Sequence, residues 1–302
     1  LILFPFIKSL DAGTLLLIKA ASLSKAGSCL FTWTFIGLSK LYKLGVVGDP
    51  IEHSLSPFIH SRFSRETNIN IEYLPFKVKE DDFAPFVSEF FKDSLSKGLN
   101  ITLPHKKNAS MLDGVISKEA KYINAVNTIV KDEKKIFLYS TDGMGFIDDI
   151  KNKGFMFEDN KILIIGAGGA AESILYTVAH NKPKEITLYN RTIEKAEKLC
   201  RKYSHISKTE SVLDHNSPYD IVINSSSAGL TGEFRPIEEL NISKSTIFYD
   251  LNYSLTETPF CKWAKGISNN VYDGIGMLVH QAAHSYNCLL YTSDAADERS
   301  SV

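Results

Sequence analysis

The amino-acid sequence predicts an α/β protein built from two domains, and three observations support this prediction. Strand-type and helix-type patterns alternate from residue 44 onward, which is typical of a mostly parallel sheet covered by helices. A glycine-rich turn at 166–171 joins an apolar strand to a helix. The length of 302 residues, with 44% apolar and 23% charged side chains, suits two globular domains of ordinary size.

The first domain is predicted over residues 41–141. A short buried strand at 44–47 leads through a polar turn to a helix that starts at Pro57, a position where the missing N–H costs nothing. The pattern continues with helix 57–67, strand 71–78, helix 81–95, strand 98–102 and helix 105–112. Paired strands at 125–130 and 135–139 follow across the charged turn 131–134. We therefore expect a mostly parallel α/β domain that ends in a hairpin.

The second domain is predicted over residues 142–275. Its expected elements are helix 143–153, strand 161–165, helix 170–178, strand 185–189, helix 192–204 and strands 219–224, 246–251 and 269–272. Strands that alternate with helices in this way predict a doubly wound sheet. A last helix at 276–286 is expected to return to the first domain, which residues 276–288 would complete.

The glycine-rich turn has the spacing of a dinucleotide-binding loop. Gly166 suits the tight turn, Gly168 lets a pyrophosphate approach the backbone, and Ala171 lets helix and strand pack closely. The free N–H groups at the helix start, where Gly169 and Ala170 lie, suit a phosphate. The turn predicts a Rossmann-type domain, and the alternative is an ordinary turn between a strand and a helix.

The second strand of this domain is followed by a basic sequence. Asn190, Arg191 and Thr192 stand where NAD-binding proteins usually carry Asp or Glu, and Lys195 lies one helical turn further on. A carboxylate would repel a ribose 2′-phosphate, whereas a guanidinium can hold it with two hydrogen bonds. The sequence therefore predicts NADP as the cofactor. The alternative, that Arg191 and Lys195 only solvate a helix start, is disfavoured because the helix dipole there repels cations.

Composition argues against several other classes of function. The net charge of −1 lacks the excess of basic residues that is typical of nucleic-acid-binding proteins. No stretch reaches the roughly 20 apolar residues of a membrane span. The four cysteines lack a C-x-x-C spacing, which indicates reduced thiols in a cytoplasmic protein. His280 and His284 are four residues apart, but Gln281 stands where a zinc protease needs Glu, so no metal site is predicted.

Both ends of the chain differ from its body. Residues 1–40 hold apolar runs broken by lysines and are expected to lie outside the fold, as an extension or, alternatively, a degraded targeting peptide. Residues 291–302 abandon the helical apolar pattern and resemble translated cloning sequence. Residues 289–302 are therefore expected to be a tail foreign to the fold.

Seven motifs occur in an order that resembles the shikimate dehydrogenase family over about residues 42–288. They are GDPIEHSLSP at 48–57, NITLPHK at 100–106, NAVNT at 124–128, STDG at 140–143, the glycine turn, NRT at 190–192 and DGIGMLVHQ at 273–281. The resemblance implies an NADP-dependent oxidoreductase that interconverts 3-dehydroshikimate and shikimate in the aromatic amino-acid and chorismate pathway. It also implies a substrate domain and a Rossmann domain with a cleft between them.

Two serines are candidates for the substrate carboxylate. Ser54 and Ser56 flank Leu55 in a turn, where two hydroxyls can donate to one carboxylate. The alternative is helix capping, because Ser56 precedes Pro57. The resemblance assigns both serines to the substrate.

The resemblance assigns proton transfer to Lys106 and Asp142. Desolvation in a closing cleft would lower the pKa of Lys106, whereas the charge of Asp142 would raise it. Which of the two is the formal base stays open. The adjacent Lys107 is expected to be a solvated surface charge.

Further residues follow from the same resemblance. The amides and hydroxyls expected around the ring hydroxyls come from Asn100, Thr102, Asn127 and Gln281, and the resemblance places the last three there. The alternatives are that Asn100 and Asn127 lock turns and that Gln281 reaches solvent. The residues expected near the nicotinamide or substrate are Ser225, or alternatively Ser226, with Tyr253, Gly274 and Met277. Met277 could equally fill the core.

Two rival functions remain open from the sequence alone. One is a quinate dehydrogenase, or a dual quinate/shikimate dehydrogenase, of the same fold. Ser54 and Arg191 favour shikimate and NADP over that rival. The other is a non-catalytic NADP-binding module or a truncated inactive product. A monomer or homodimer that acts on a small molecule, without nucleic acid or membrane, is expected.

Overall fold

The computed structural model describes residues 40–226, 234–254 and 256–299, of which 292–299 are described by their backbone alone. These residues divide into two compact units. The first unit holds the described residues up to Thr141 and those from Gln281 onward, and the second holds Asp142–His280. The extension predicted at 1–40 lies, apart from Lys40, outside the described residues.

The first unit contains a mixed sheet of six described strands in the order β2-β1-β3-β5-β6-β4. The strands are β1 Tyr42–Gly48, β2 Ile71–Lys77, β3 Ser96–Ile101, β4 Val115–Ile116, β5 Thr128–Asp132 and β6 Lys135–Tyr139. β1 runs parallel to β2 and β3, whereas β5 runs antiparallel to β3 and β6, which gives the predicted hairpin. Fully buried residues such as Val47, Leu99 and Ile129 form its core. Burial of each such side chain contributes about 1.5–3 kcal/mol.

The helices of the first unit differ from prediction at 81–95, at 105–112, where the helix is shorter, and at 118–123, where no helix was predicted. They are α1 Ser56–Thr67, α2 Phe83–Phe90, α3 Lys106–Ala109 and α4 Lys118–Ile123, with a 3₁₀ turn at Glu80–Asp82 before α2. The helix predicted over 81–95 ends at Phe90. Asp93 explains this, because its carboxylate accepts from the Leu95 N–H at 2.9 Å and makes a local turn that competes with helix.

The second unit contains a parallel sheet of six described strands in the order β12-β11-β10-β7-β8-β9. The strands are β7 Lys161–Ile165, β8 Glu185–Tyr189, β9 Thr209–Glu210, β10 Ile221–Asn224, β11 Ile247–Asp250 and β12 Val271–Tyr272. The helices are α5 Asp142–Asn152, α6 Gly169–His180, α7 Ile193–Tyr203 and α8 Pro259–Lys265. All residues of β7 and β10 are buried, as expected for central strands covered on both faces. The doubly wound prediction is confirmed.

The last helix, α9, spans Ile275–Arg299 and contains a non-helical residue at Tyr291. Its residues up to His280 belong to the second unit and those from Gln281 to the first. Leu289 is fully buried in a core cluster with Leu44 and Val46, and Leu290 packs against that cluster. The boundary drawn before residue 289 is therefore wrong, because the fold continues at least to Leu290. The sequence change at Tyr291 coincides with the break in the helix.

Candidate active site

Ser54 and Ser56 lie in the turn that leads from β1 into α1, and both are half-buried. The Ser54 N–H donates to the Ile51 carbonyl at 3.0 Å, and the Ser56 N–H donates to Ser54 Oγ at 3.3 Å. Helix α1 begins at Ser56, with Leu55 as its N-cap and no side-chain capping hydrogen bond. Ser56 therefore does not cap the helix, so the capping alternative for its hydroxyl is wrong. Its role toward a ligand stays a prediction.

The loop after β3 fixes the backbone of Lys106. His105 is fully buried, with Nε2 2.7 Å from the Val78 carbonyl oxygen and its ring stacked on Phe83 at 4.8 Å between centroids. The Lys106 carbonyl accepts from the Val126 N–H at 2.9 Å. His105 and the carbonyl of Lys106 are thus both held in place. His105 was not predicted from the sequence, because a lone histidine beside a lysine carries no separate signal.

The side chains around this loop differ in exposure. Lys106 is half-buried and Lys107 is exposed, as predicted for the latter. Thr102 is half-buried, its N–H donates to the Val47 carbonyl at 3.0 Å, and its carbonyl accepts from the His105 N–H at 3.0 Å. Thr102 therefore ties the end of β1 to the loop that carries Lys106.

Asn127 lies at the centre of a buried hydrogen-bond network. Its Oδ1 accepts from the Thr141 N–H at 3.0 Å and from the Thr128 hydroxyl at 3.0 Å. Its Nδ2 donates to Thr141 Oγ1 at 2.9 Å and to Gln281 Oε1 at 3.3 Å. The structure thus brings together Asn127 and Gln281, which are 154 residues apart in sequence. Direct contact of either with a substrate stays a prediction.

A second buried amide connects this network to the serine turn. Asn100 Oδ1 accepts from the Tyr73 hydroxyl at 2.8 Å, and its Nδ2 donates to Ser285 Oγ at 2.5 Å and Thr128 Oγ1 at 3.2 Å. Burial raises the pKa of Tyr73 well above its ordinary value, and a hydrogen bond with Ser56 offsets part of this effect. Tyr73 and Ser285 were missed, because each occupies an ordinary core position in its strand or helix pattern.

Asp142 is the first residue of α5 and of the second unit. Its side chain is buried, and a carboxylate at a helix N-terminus is favoured by the helix dipole. It directly follows Thr141, whose N–H and hydroxyl are held by Asn127. Lys106 belongs to the other unit, and the pairing of the two side chains stays a prediction.

Gly166 forms the turn that ends β7. Its φ of 110° is a conformation that L side chains rarely adopt, and a Cβ there would lie 2.6 Å from Ser225 Oγ. The Gly166 N–H donates to the Tyr189 carbonyl at 2.7 Å. The Ser225 hydroxyl donates to the Ile165 carbonyl at 2.8 Å, so this serine supports the turn from the neighbouring strand. Contact of Ser225 with a cofactor stays a prediction.

The start of α6 fits an anionic group. Gly168 is the N-cap and makes no side-chain capping hydrogen bond. Apart from the chain neighbours and the backbone of α6 itself, no heavy atom of the described residues lies within 4 Å of where a Cβ on Gly168 or Gly169 would be. Ala170 is also exposed, whereas Ala171 is fully buried against the sheet. Backbone N–H groups that lack helical partners can therefore approach a phosphate here.

The basic segment after β8 lies beside this turn. Ile165 pairs with Tyr189 in register, so the chain leaves both strands at the same edge of the sheet. Asn190 Nδ2 donates to the Thr192 carbonyl at 2.7 Å and shapes the connection, and Thr192 is the N-cap of α7 without a side-chain capping bond. Three of the four predicted residues are exposed, namely Arg191, Thr192 and Lys195. The arrangement suits a second phosphate beside the glycine turn.

The remaining predicted residues lie after β11 and at the start of α9. Tyr253 is half-buried, and burial raises the pKa of its hydroxyl. The Gly274 N–H donates to the Asn252 carbonyl at 3.0 Å, and a Cβ on Gly274 would collide with the Leu251 carbonyl. The protein backbone alone thus explains this glycine. Met277 is half-buried in the first turn of α9.

Asp250 anchors the loops that follow β10 and β11. Its Oδ1 accepts from Asn224 Nδ2 at 2.9 Å and from Asn252 Nδ2 at 2.9 Å, and its Oδ2 accepts from the Thr258 hydroxyl at 2.7 Å. Asn252 Nδ2 also donates to the Ser226 carbonyl at 2.8 Å. Burial raises the pKa of Asp250, and these hydrogen bonds offset part of the effect. This network was not predicted from the sequence.

The described residues also bear on metal sites, membrane spans and reactive cysteines. Within 40–226, 234–254 and 256–299, no three His, Cys, Asp or Glu side chains are grouped so that they could hold a metal ion. Among the described helices, none has the length and apolar character needed to span a bilayer. Cys200, Cys261 and Cys288 are buried and free of disulfides. Burial raises the pKa of Cys200 and of Cys261 to about 11, which disfavours reactive thiolates.

Comparisons with known proteins agree with the order of the motifs. A family model described as the shikimate dehydrogenase substrate binding domain matches residues 46–129, and one described as shikimate / quinate 5-dehydrogenase matches residues 149–244. The shikimate dehydrogenase (NADP(+)) of Hahella chejuensis is 37% identical over 245 residues, which cover 80% of this chain and 90% of that protein.

Two solved structures are similar in fold. An Ael1 enzyme from Pseudomonas putida aligns with a TM-score of 0.76 at 31% identity, covering 82% of this chain and 93% of that chain. The shikimate 5-dehydrogenase of Thermus thermophilus, solved in complex with NADP(H) and shikimate, aligns with a TM-score of 0.74 at 26% identity, covering 82% and 93%.

Proposed function

The chain belongs to the shikimate dehydrogenase family, and we propose that it interconverts 3-dehydroshikimate and shikimate with NADP as the redox partner. The observation that carries this proposal is the match of both family domains in chain order. Lys106 lies in the first matched region, and the glycine turn at Gly166 lies in the second. In this proposal the first region provides the group for proton transfer, and the second provides the turn that binds the cofactor.

The first unit supplies the substrate-binding groups in this proposal. Ser54 and Ser56 donate hydrogen bonds to the substrate carboxylate, and Thr102, Asn127 and Gln281 face the ring hydroxyls. The hydrogen bonds of Asn127 to Thr141 and Gln281 support a fixed orientation of the amide. A fixed amide loses little freedom on binding, and this favours selection among similar polyols.

Lys106 and Asp142 handle the proton of the reacting hydroxyl. A half-buried ammonium can donate that proton when the ketone is reduced and, once neutral, accept it in the reverse direction. The Asp142 carboxylate would orient the same hydroxyl or take the proton itself. The formal base is left open between the two.

The second unit holds NADP. Gly168, Gly169, Ala170 and Ala171 shape the pyrophosphate site, Gly166 and Ser225 shape the turn, and Asn190, Arg191, Thr192 and Lys195 face the 2′-phosphate. Gly274 and Met277 lie toward the nicotinamide end, and Tyr253 contacts the substrate. The bound nicotinamide supplies or takes up the hydride.

We further propose cytoplasmic action as a monomer or homodimer, without nucleic-acid or membrane partners. The low net charge supports the expectation that nucleic acid is not a partner. Residues 41–141 with the end of α9 would form the substrate domain, and residues 142–275 the cofactor domain.

The test is absorbance at 340 nm during reaction of the purified protein with shikimate and NADP, and separately with quinate or NAD. We expect the highest kcat/KM with shikimate and NADP. A preference for quinate with NAD would contradict the proposed substrate and cofactor. NADPH binding without turnover of either acid would indicate a non-catalytic module.

A further inference from the structure

Asp149 is a buried carboxylate that the proposed reaction does not use. It lies on α5 and is 1% exposed. Its Oδ1 is 2.5 Å from Lys153 Nζ and 3.9 Å from His280 Nε2, and its Oδ2 accepts from the Tyr249 hydroxyl at 2.7 Å. All four residues belong to the second unit. A charge this deeply buried is costly unless its partners hold it, so the arrangement calls for a physical explanation.

Tyr249 connects this carboxylate to the start of α9. Its side chain is fully buried in β11, and its hydroxyl accepts from the Met277 N–H at 3.3 Å while it donates to Asp149. Burial and the charge of Asp149 hold the pKa of Tyr249 well above its usual range, so the phenol keeps the proton that it donates. Met277 is the third residue of α9, where a backbone N–H has no partner within the helix. The phenol therefore caps this helix from a neighbouring strand.

The neighbouring residues fix the same turn. The Ile275 N–H donates to Asp273 Oδ1 at 3.3 Å, and the Gly274 backbone is held against Leu251 and Asn252. A Cβ on Gly276 would collide with the Asp149 carboxylate, so this glycine lets the buried charge approach the helix. A negative charge beside a helix N-terminus is stabilising. The first turn of α9 is thus held by its own backbone contacts and by the Asp149–Tyr249 pair.

We propose that Asp149 and Tyr249 form a positioning pair that orients the first turn of α9, and with it Met277, for the nicotinamide half of NADP. This inference rests on the proposed function, which puts Gly274 and Met277 at the nicotinamide end. The pair acts through the backbone of α9. Its loss would weaken recognition of the nicotinamide half and leave recognition of the 2′-phosphate half unchanged.

The test compares two ligands on three variants. NADPH has both halves, whereas adenosine 2′,5′-bisphosphate lacks the nicotinamide. We expect Tyr249→Phe to lower the affinity for NADPH about 5- to 10-fold, as the loss of one buried hydrogen bond implies. The affinity for adenosine 2′,5′-bisphosphate should stay unchanged. Asp149→Asn, which retains the volume, should shift the same ratio in the same direction by less. Both affinities can be measured by titration calorimetry.

Tyr219→Phe is the matched control. Tyr219 is also buried in the second unit, and its hydroxyl also accepts from a backbone N–H, that of Asp214 at 2.9 Å. It lies before β10, at the end of the strand opposite Asn224. This variant should lower the melting temperature without changing the ratio of the two affinities.

Two outcomes would overturn the inference. One is an unchanged ratio in Tyr249→Phe with a lowered melting temperature, which would leave the pair a purely structural role. The other is an equal loss of affinity for NADPH and for adenosine 2′,5′-bisphosphate. If Tyr249→Phe does not fold, the ratio in Asp149→Asn decides in the same way. Wild-type protein that binds NADPH but does not oxidise shikimate would overturn the proposed function alone, because the ratio can still be measured.

Discussion

The amides of the candidate substrate site lie in a shared hydrogen-bond network, whereas half of the candidate cofactor residues of the second unit are exposed. Asn127 alone engages Thr128, Thr141 and Gln281. In contrast, Gly168 and Arg191 lie open at the edge of the second sheet. Substitutions in the first group should therefore also lower the stability of the fold. Changes in the second group should alter affinity and leave stability nearly intact.

The largest effect is expected for Lys106. Its substitution tests whether the first unit provides a catalytic group that does not contribute to cofactor affinity. Lys106→Ala should lower kcat/KM by about 10²–10⁴, the usual range for loss of a general acid or base, with NADPH affinity unchanged. Lys107→Ala is the matched control and should retain activity, because Lys107 is exposed. Steady-state rates and a NADPH titration measure both. Equal loss of turnover and cofactor affinity would contradict the assigned role.

The next effect tests the charge at the edge of the second sheet. Arg191→Asp should lower NADP affinity by about 100-fold relative to NAD, because a carboxylate there repels the 2′-phosphate. Arg201→Asp, on the last turn of α7, is the control and should leave the ratio unchanged. Neither variant should change the melting temperature much, because both arginines are exposed. Unaltered NADP affinity in Arg191→Asp would remove this residue from the phosphate site.

A third pair of variants contrasts the two units directly. Asn127→Ala should lower the free energy of unfolding by about 1–3 kcal/mol, because the Thr141 N–H loses its acceptor in a buried position. Gly168→Ala should keep the wild-type stability, because the Gly168 φ of −95° suits alanine and a Cβ there would point into open space. The variant should nevertheless weaken NADPH binding. Urea denaturation and ligand titration would separate the two. The reverse pattern would break the comparison between the units.

The fourth effect is a pH dependence in the first unit. Burial lowers the pKa of His60 to about 3 from an ordinary value of 6.5. Between these values the unfolded chain binds a proton that the folded protein does not. The stability contributed by the neutral ring is therefore complete above about pH 6.5 and is lost as the pH falls toward 3, by at most about 1.4 kcal/mol per unit.

His60→Phe keeps an aromatic ring against Tyr73, on which His60 stacks at 4.2 Å. We expect a shallower fall of the unfolding free energy between pH 6.5 and 3 in this variant. His180→Gln, at an exposed position on α6, should keep the wild-type slope. Identical slopes in all three proteins would contradict the effect of His60 burial.

Local patterns were sufficient where neighbours in sequence determine the structure. The strand, glycine turn and helix from Lys161 to His180 follow from spacing and apolar pattern alone, because Gly166 and Ala171 act on adjacent elements. Helix α8 was missed although its signal is local. Thr258 caps it by accepting from the Cys261 N–H at 3.2 Å, and Pro259 follows at the first helical position.

Long-range partners carry no such signal. Tyr249 and Asp149 are 100 residues apart, and each fits the apolar or amphipathic pattern of its own element. Asn100 likewise meets Ser285 across 185 residues. The sequence identified Asn127 and Gln281 only through the resemblance to a family, because nothing local distinguishes a network amide from a turn residue. Side-chain networks of this kind become visible only when the fold brings their members together.

Gly166 also limits how the gene can vary. Every missense change of one base in a glycine codon introduces a side chain with a Cβ atom. At this turn that atom would meet Ser225 while the backbone holds a left-handed conformation. Replacement of Gly166 by another amino acid is therefore not neutral. A compensating second mutation would have to change the strand end at Ser225 as well as the turn. Variant libraries of the whole gene should show this codon as one of the least tolerant in the second half of the chain.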